Sequence, residues 1–193
     1  MGKGKLDMSN GFKNIFSTLI LEFDISGHPC EKNLKDIIQR AHTNDHALMP
    51  AGGVSNFGGN ILTNPILTSL KETIDIAVNK YVEASGLMPI SLYNSWFNVM
   101  GKGNFTKHHR HEKSVLSGAY YIEAEPNSVG LTLVNPTKIY KMNELYDKIT
   151  DYTTNDYTSS AHPGKLIIFP SWLEHYTDVN DSDRRVVVSF NYN

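Results

Sequence analysis

The sequence predicts a mainly β fold with N-terminal helices, a double-stranded β-helix of the jelly-roll, cupin-like kind. From Pro89 onward the chain divides into short β-rich segments separated by turn residues, and one amphipathic helix precedes them. Nowhere do strands and helices alternate as a parallel βαβ array requires. The 193 residues, 40 % of them apolar, can fill one core, so we expect a single domain over 1–193 with its β core at about 88–193.

Residues 13–25, KNIFSTLILEFDI, mix β-branched and aromatic side chains and read as a strand. After the polar break SGHPCEKN, Leu34, Ile37 and Ile38 share one side of a short helix that runs to about Ala41. AGGVSNFGG, with four glycines in nine residues, is loop. The clearest helix starts at TNP, where Thr63 or Asn64 caps it and Pro65 enters its first turn without forfeiting a needed N–H bond. Ile66, Leu70, Ile74, Ala77 and Tyr81 follow at spacings of three and four, Gly86 stops it, and its apolar face should lie on a sheet.

The β segments are ISLYNSWFNVM, NFTKHHRH, VLSGAYYIEA, VGLTLVN, KLIIFP and RRVVVSFNY. The interval 137–161 carries four tyrosines among polar residues and a short helix at MNELYDKI; it reads equally as a lid over a pocket or a fixed surface insertion.

Eighteen basic and twenty acidic residues leave a formal charge of -2, so no general positive field favours nucleic acid or an anionic membrane. Lys3 and Lys5 suit a solvated tail. No apolar run is long enough to cross a bilayer, and the start MGKGKLDMSNGF lacks a signal-peptide pattern. Cys30 is the sole cysteine, which excludes an internal disulfide and fits a reducing, cytoplasmic setting; no base motif accompanies it. Exposed strands are compatible with a homodimer, although edge protection by the helices explains them equally well.

Three of the eight histidines fall in KHHRH. On a strand, His109 and His111 point to one face, as two metal-ligating imidazoles would, while His108 and Arg110 face the other way. An isolated H-x-H also describes ordinary surface histidines. PGKLIIFPSWLEH adds a turn, an apolar strand, a break at Pro170 and then His175, a distant third ligand of the kind a β-barrel or jelly-roll can return to the same place. In RRVVVSFN, Arg185, Val187, Ser189 and Asn191 share one face, and Val186, Val188 and Phe190 the other. Arg185 reads as a solvated strand end or as a bidentate partner for a carboxylate.

Together HRHEKSVLSGAYYI, PGKLIIFPSWLEH and RRVVVSFN resemble the 2OG-Fe(II) oxygenase family within the prolyl-hydroxylase-like group, best over about 90–193. The resemblance implies Fe(II) held by His109, His111 and His175, with 2-oxoglutarate as co-substrate clamped at Arg185 and molecular oxygen as oxidant. Tyr93, Asn94, Asn104 and Tyr121 are further candidates for polar contacts to the co-substrate. The implied reaction hydroxylates a peptide or protein side chain or a small metabolite, and Trp96, Phe97 and Trp172 suit either a pocket wall or the core. The chain departs from the wider group at one ligand. Where two histidines and a carboxylate are usual, it has His111, and Glu112 on a regular strand would point away. Two other readings follow from that departure, a three-histidine dioxygenase that does not use 2-oxoglutarate and a non-enzymatic metal-binding jelly-roll.

Overall fold

A computed structural model describes residues 15–141 and 145–193. The leader with Lys3 and Lys5, the first two residues of the predicted opening strand, and Met142, Asn143 and Glu144 of MNELYDKI lie outside the described residues. In chain order the elements are β1 (Leu21–Asp24), α1 (Glu31–Arg40), β2 (Asn44–Asp45), β3 (Val54–Ser55), α2 (Thr68–Ser85), β4 (Leu92–Met100), β5 (Thr106–His109), β6 (Leu116–Ala124), β7 (Thr132–Val134), β8 (Asp156–Thr158), β9 (Lys165–Pro170), β10 (His175–Thr177) and β11 (Arg185–Tyr192). They form a seven-stranded sheet, β1-β9-β6-β11-β4-β3-β2, and a four-stranded sheet, β5-β10-β7-β8, antiparallel throughout. Neither sheet closes on itself.

Strand alternation divides the large sheet into two faces. Tyr120, Ile122, Leu166, Ile168, Val186, Val188 and Phe190 join Leu34, Ile38, Leu70 and Ile74 in the core beneath the helices. Ala119, Tyr121, Ile167, Phe169 and Val187 form a second cluster with Leu131, Leu133 and Leu173. A charge introduced at Val188, which is fully buried, would strike the first core.

The long helix starts as its sequence requires. The Asn64 side chain accepts from Ile66 N–H at 3.1 Å, and Pro65 opens a 3-10 turn, Pro65–Leu67, that leads into α2. Gly86 ends it at φ 71°, in the left-handed region where glycine carries no Cβ penalty. Of the expected apolar face, Leu70, Ile74, Ala77 and Tyr81 are buried, but Ile66 is exposed because it belongs to the 3-10 turn.

Three local expectations are corrected. The opening strand is confined to Leu21–Asp24; Phe16 takes φ 57°, which interrupts an extended chain, and Ile15 and Phe16 are exposed. The glycine-rich loop contributes β3, which pairs with β2 and β4. Residues 145–149 form no helix, and the same insertion supplies β8, which pairs with β7. Among the described residues, no helix is long and apolar enough to cross a membrane.

Candidate metal centre

Antiparallel pairing of β10 with β5 places His175 directly opposite His109, with ring centroids 4.1 Å apart. His111 joins them by another route. β5 ends at His109, so H-x-H is not one continuous strand as its spacing suggested. The His111 N–H instead donates to Ser171 O at 3.0 Å, and its carbonyl accepts from Ser114 N–H at 3.2 Å in the turn that follows. Its ring centroid lies 5.1 Å from that of His109 and 5.0 Å from that of His175. One ligand atom from each of the three histidines falls within 4.8 Å of the others.

The second nitrogen of each ring has a partner. His109 Nδ1 lies 2.8 Å from Lys107 O, and His175 Nδ1 2.9 Å from Leu173 O. A carbonyl only accepts, so both rings carry their proton on Nδ1 and leave the Nε2 lone pair bare. His111 Nδ1 meets Asn191 Oδ1 at 2.6 Å and Ser117 Oγ at 2.8 Å, which suits the same tautomer. Removal from water disfavours an imidazolium; it pushes His109 down to about 4, His175 well below its ordinary value, and His111 in the same direction. Three neutral imidazoles with bare nitrogens are a chemically competent set for iron, zinc, copper or nickel.

The histidines face a cavity of about 750 Å³, within the size range of small-molecule sites. Its floor is the inward face of β4 and β11: Asn94, Trp96, Asn98 and Met100 alternate along one strand, and Arg185, Val187, Ser189 and Asn191 along the other. His46 and Met49, from a stretch without a sequence signal, and Phe57, from the glycine-rich loop, also line it. The 46–49 segment reaches β5, where Lys107 N–H donates to Leu48 O at 2.8 Å.

Arg185 is buried, and its hydrogen-bond partners among the described residues are neutral. Nε donates to Val129 O at 2.8 Å, Nη1 to Met100 Sδ at 3.2 Å and Nη2 to Tyr121 Oη at 3.3 Å, and the guanidinium carbon lies 4.9 Å from the Tyr121 ring centroid. Tyr121 is fully buried behind it and also accepts from Leu131 N–H at 2.9 Å. Its contact is with the arginine.

The other sequence candidates separate. Tyr93 and Asn94 line the cavity. Asn104 is engaged by backbone groups: Oδ1 accepts from Gly101 N–H at 2.8 Å within its own turn, and Nδ2 donates to Ala51 O at 2.5 Å in the segment between β2 and β3. Trp96 lies 5.8 Å from the His111 ring, whereas Phe97 is buried under the helices and Trp172 is about half exposed. Glu112 reaches the cavity lining but is not one of the clustered ligands, and the predicted outward residues His108 and Arg110 both bind Glu174, at 2.9 and 3.0 Å. Cys30 is buried beside Ser69, away from the cavity.

The arrangement has structural relatives. It is similar to HygX from Streptomyces hygroscopicus, crystallised with nickel and 2-oxoglutarate, at 13 % identity and TM-score 0.64 over 91 % of this chain and 83 % of that one. A Pseudomonas putida prolyl-4-hydroxylase matches at 12 % identity and TM-score 0.58 over 91 % and 92 %. A Trichoplax adhaerens prolyl hydroxylase, in complex with a hypoxia inducible factor peptide, matches at 13 % and 0.62 over 90 % and 83 %. At these identities the likeness concerns the fold. No curated protein matches in sequence. Residues 94–191, just over half of the chain and inclusive of the three histidines and Arg185, match the family described as "Putative 2OG-Fe(II) oxygenase". The chain belongs to that family.

Proposed function

We propose that this chain is a non-haem iron oxygenase in which His109, His111 and His175 hold Fe(II) and Arg185 anchors 2-oxoglutarate. The observation that carries the co-substrate is Arg185, a buried cation with no acidic partner among the described residues, whose fork suits a carboxylate. The three bare imidazole nitrogens fit the metal. On this reading the two sheets are the halves of a double-stranded β-helix, and residues 1–193 are one domain.

Bound iron would supply the oxygen-dependent oxidation of a C–H bond, coupled to decarboxylation of 2-oxoglutarate to succinate. The protein's part is to bind and to exclude. Arg185 holds the distal carboxylate, and Tyr121 keeps the guanidinium in place. Met100, Leu131 and Phe169 give that part of the cavity an apolar wall, where water competes poorly for the ionic contact. The volume of about 750 Å³ accommodates a five-carbon diacid with a second organic group beside it, either a small metabolite or an inserted side chain.

The ligand set favours a second reading. Three neutral imidazoles replace the two histidines and one carboxylate of most such enzymes, so the metal retains one more positive charge. A three-histidine oxygenase that chelates its organic substrate directly, without 2-oxoglutarate, accounts for that set better; Arg185 would then hold the substrate's own acid group.

An anaerobic titration of metal-free protein with Fe(II) and then 2-oxoglutarate separates the two. The co-substrate reading requires a saturable visible charge-transfer band that His109→Ala abolishes. Iron binding without the band rejects 2-oxoglutarate and leaves the second reading, and absence of iron binding rejects both.

A further inference from the structure

His109 and His175 are oriented by their own chain. Each donates to the carbonyl two residues upstream, Lys107 O and Leu173 O, a bond that no side-chain substitution removes. His111 has no such local acceptor. Its Nδ1 instead meets Asn191 Oδ1 at 2.6 Å and Ser117 Oγ at 2.8 Å, on strands β11 and β6. Asn191 is in turn constrained on every side. Ser117 Oγ donates to its Oδ1 at 2.8 Å, its Nδ2 donates to Asn94 Oδ1 at 2.9 Å, and Ser171 Oγ lies 2.7 Å from Ser117 Oγ. Asn191, Ser117 and Ser171 are all buried.

The direction of these bonds fixes the proton. Asn191 turns Oδ1 to His111 and Nδ2 to Asn94, and an amide oxygen only accepts. The proton of His111 therefore sits on Nδ1 and the lone pair on Nε2, toward His109 and His175. A neighbour that donated instead would put the lone pair on the wrong nitrogen.

We infer that Asn191 is a positioning residue that makes His111 a metal ligand by fixing its tautomer and ring orientation. The inference rests on the proposed metal centre. It concerns the one ligand that stands where most relatives have a carboxylate, and the one whose orientation depends on side chains distant in sequence.

The test is a titration of metal-free protein with Co(II), read by its visible d–d absorption, with the imidazole tautomers followed by long-range 15N–1H NMR. Asn191→Ala should weaken Co(II) binding about 10- to 100-fold, the usual effect of removing a group that orients a ligand. Asn191→Asp keeps an acceptor toward His111 and should remain within about threefold of wild type. In metal-free wild type, His111 should appear as the Nδ1–H tautomer alone.

Absence of Co(II) binding by wild type would reject the metal centre and this inference together. Wild-type binding with Asn191→Ala unchanged would reject the inference alone. Equal losses in Asn191→Ala and Asn191→Asp would reduce Asn191 to a packing role, and an Nε2–H tautomer at His111 in wild type would overturn the inference even if the alanine variant failed to fold.

Discussion

Replacement of Arg185 by Met separates a ligand clamp from a structural cation, because the two roles predict opposite balances of stability and affinity. In the folded protein the guanidinium is buried with no acid beside it among the described residues, held by one carbonyl, one phenol and one thioether. Such a charge pays desolvation without an ionic return. Met removes that cost and fills similar space, but it leaves Val129 O without its 2.8 Å donor, a loss of about 1–3 kcal/mol. These effects oppose one another, so the metal-free variant should melt within about 4 °C of wild type or above it. A bound carboxylate would lose two charge-assisted hydrogen bonds. Even the lower value of about 1.5 kcal/mol each makes about 3 kcal/mol, or roughly 100-fold in affinity. Anaerobic calorimetry of 2-oxoglutarate into Fe(II)-loaded protein reads the affinity, and a thermal melt reads the stability. Unchanged 2-oxoglutarate affinity with a melting temperature lowered by 10 °C or so would refute the argument and make Arg185 a structural residue.

His109→Ala and His175→Ala should each abolish stoichiometric Fe(II) binding while far-ultraviolet circular dichroism stays near wild type; retained stoichiometric iron in either would remove that residue from the ligand set. In the metal-free protein, His109 is pushed down to about 4 from an ordinary value of 6.5, so burial of the neutral ring contributes stability above pH 6.5 that is lost as the pH falls through about 4. Denaturant midpoints should fall over that window, and a midpoint that rises on acidification would contradict the neutral, buried triad. Trp96 lies 5.8 Å from the His111 ring and lines the cavity, so Cu(II) or Co(II) should strongly quench the fluorescence of Trp172→Phe, in which Trp96 is the remaining tryptophan; absence of quenching would place the metal elsewhere. A Cβ at Gly130 would fall 1.8 Å from Ser159 O, a backbone atom, so Gly130→Ala should separate β7 from β8, disturb the neighbouring Val129 carbonyl that holds Arg185, and lower the melting temperature by several degrees; an unchanged melt would show that the turn yields freely.

What could be read from the sequence followed the range of the physics involved. Caps and periodicity act within a few residues, so Asn64, Pro65 and Gly86 marked the long helix, and alternation sorted Val186, Val188 and Phe190 from Arg185, Val187, Ser189 and Asn191. The short strands β2, β3 and β8 escaped notice because two or three residues carry no periodic pattern and owe their conformation to the strand beside them. Phe16 at φ 57° broke a run that composition alone favoured as strand. His109 and His111 were legible as a pair, but strand alternation was the wrong reason for the second. What delivers His111 is a backbone bond to Ser171 and a side-chain bond to Asn191, 80 residues away, and neither has a local signature. The same holds for Arg185. Its position at the start of a strand was visible, whereas the neutrality of all its partners is a property of the packed cavity.

That neutrality joins the two halves of the proposed site. The proposed ligands bring no charge, the second nitrogens of the histidines meet carbonyls, an amide and a hydroxyl, and among the described residues the carboxylates in the cavity lining are Asp45 and Glu112, both exposed. A divalent metal and a guanidinium in such a pocket form two positive poles with no buried anion among the described residues to offset them. The organic molecule that completes the site must therefore supply negative charge at both ends, one to chelate the metal and one to meet the arginine. A 2-oxo diacid satisfies that requirement, and so does a substrate that is itself a diacid; a neutral substrate bound directly to the metal does not, because it would leave Arg185 buried and unpaired. Both readings of the reaction thus share one demand on the ligand, and they differ in whether the diacid is consumed as co-substrate or oxidised as substrate.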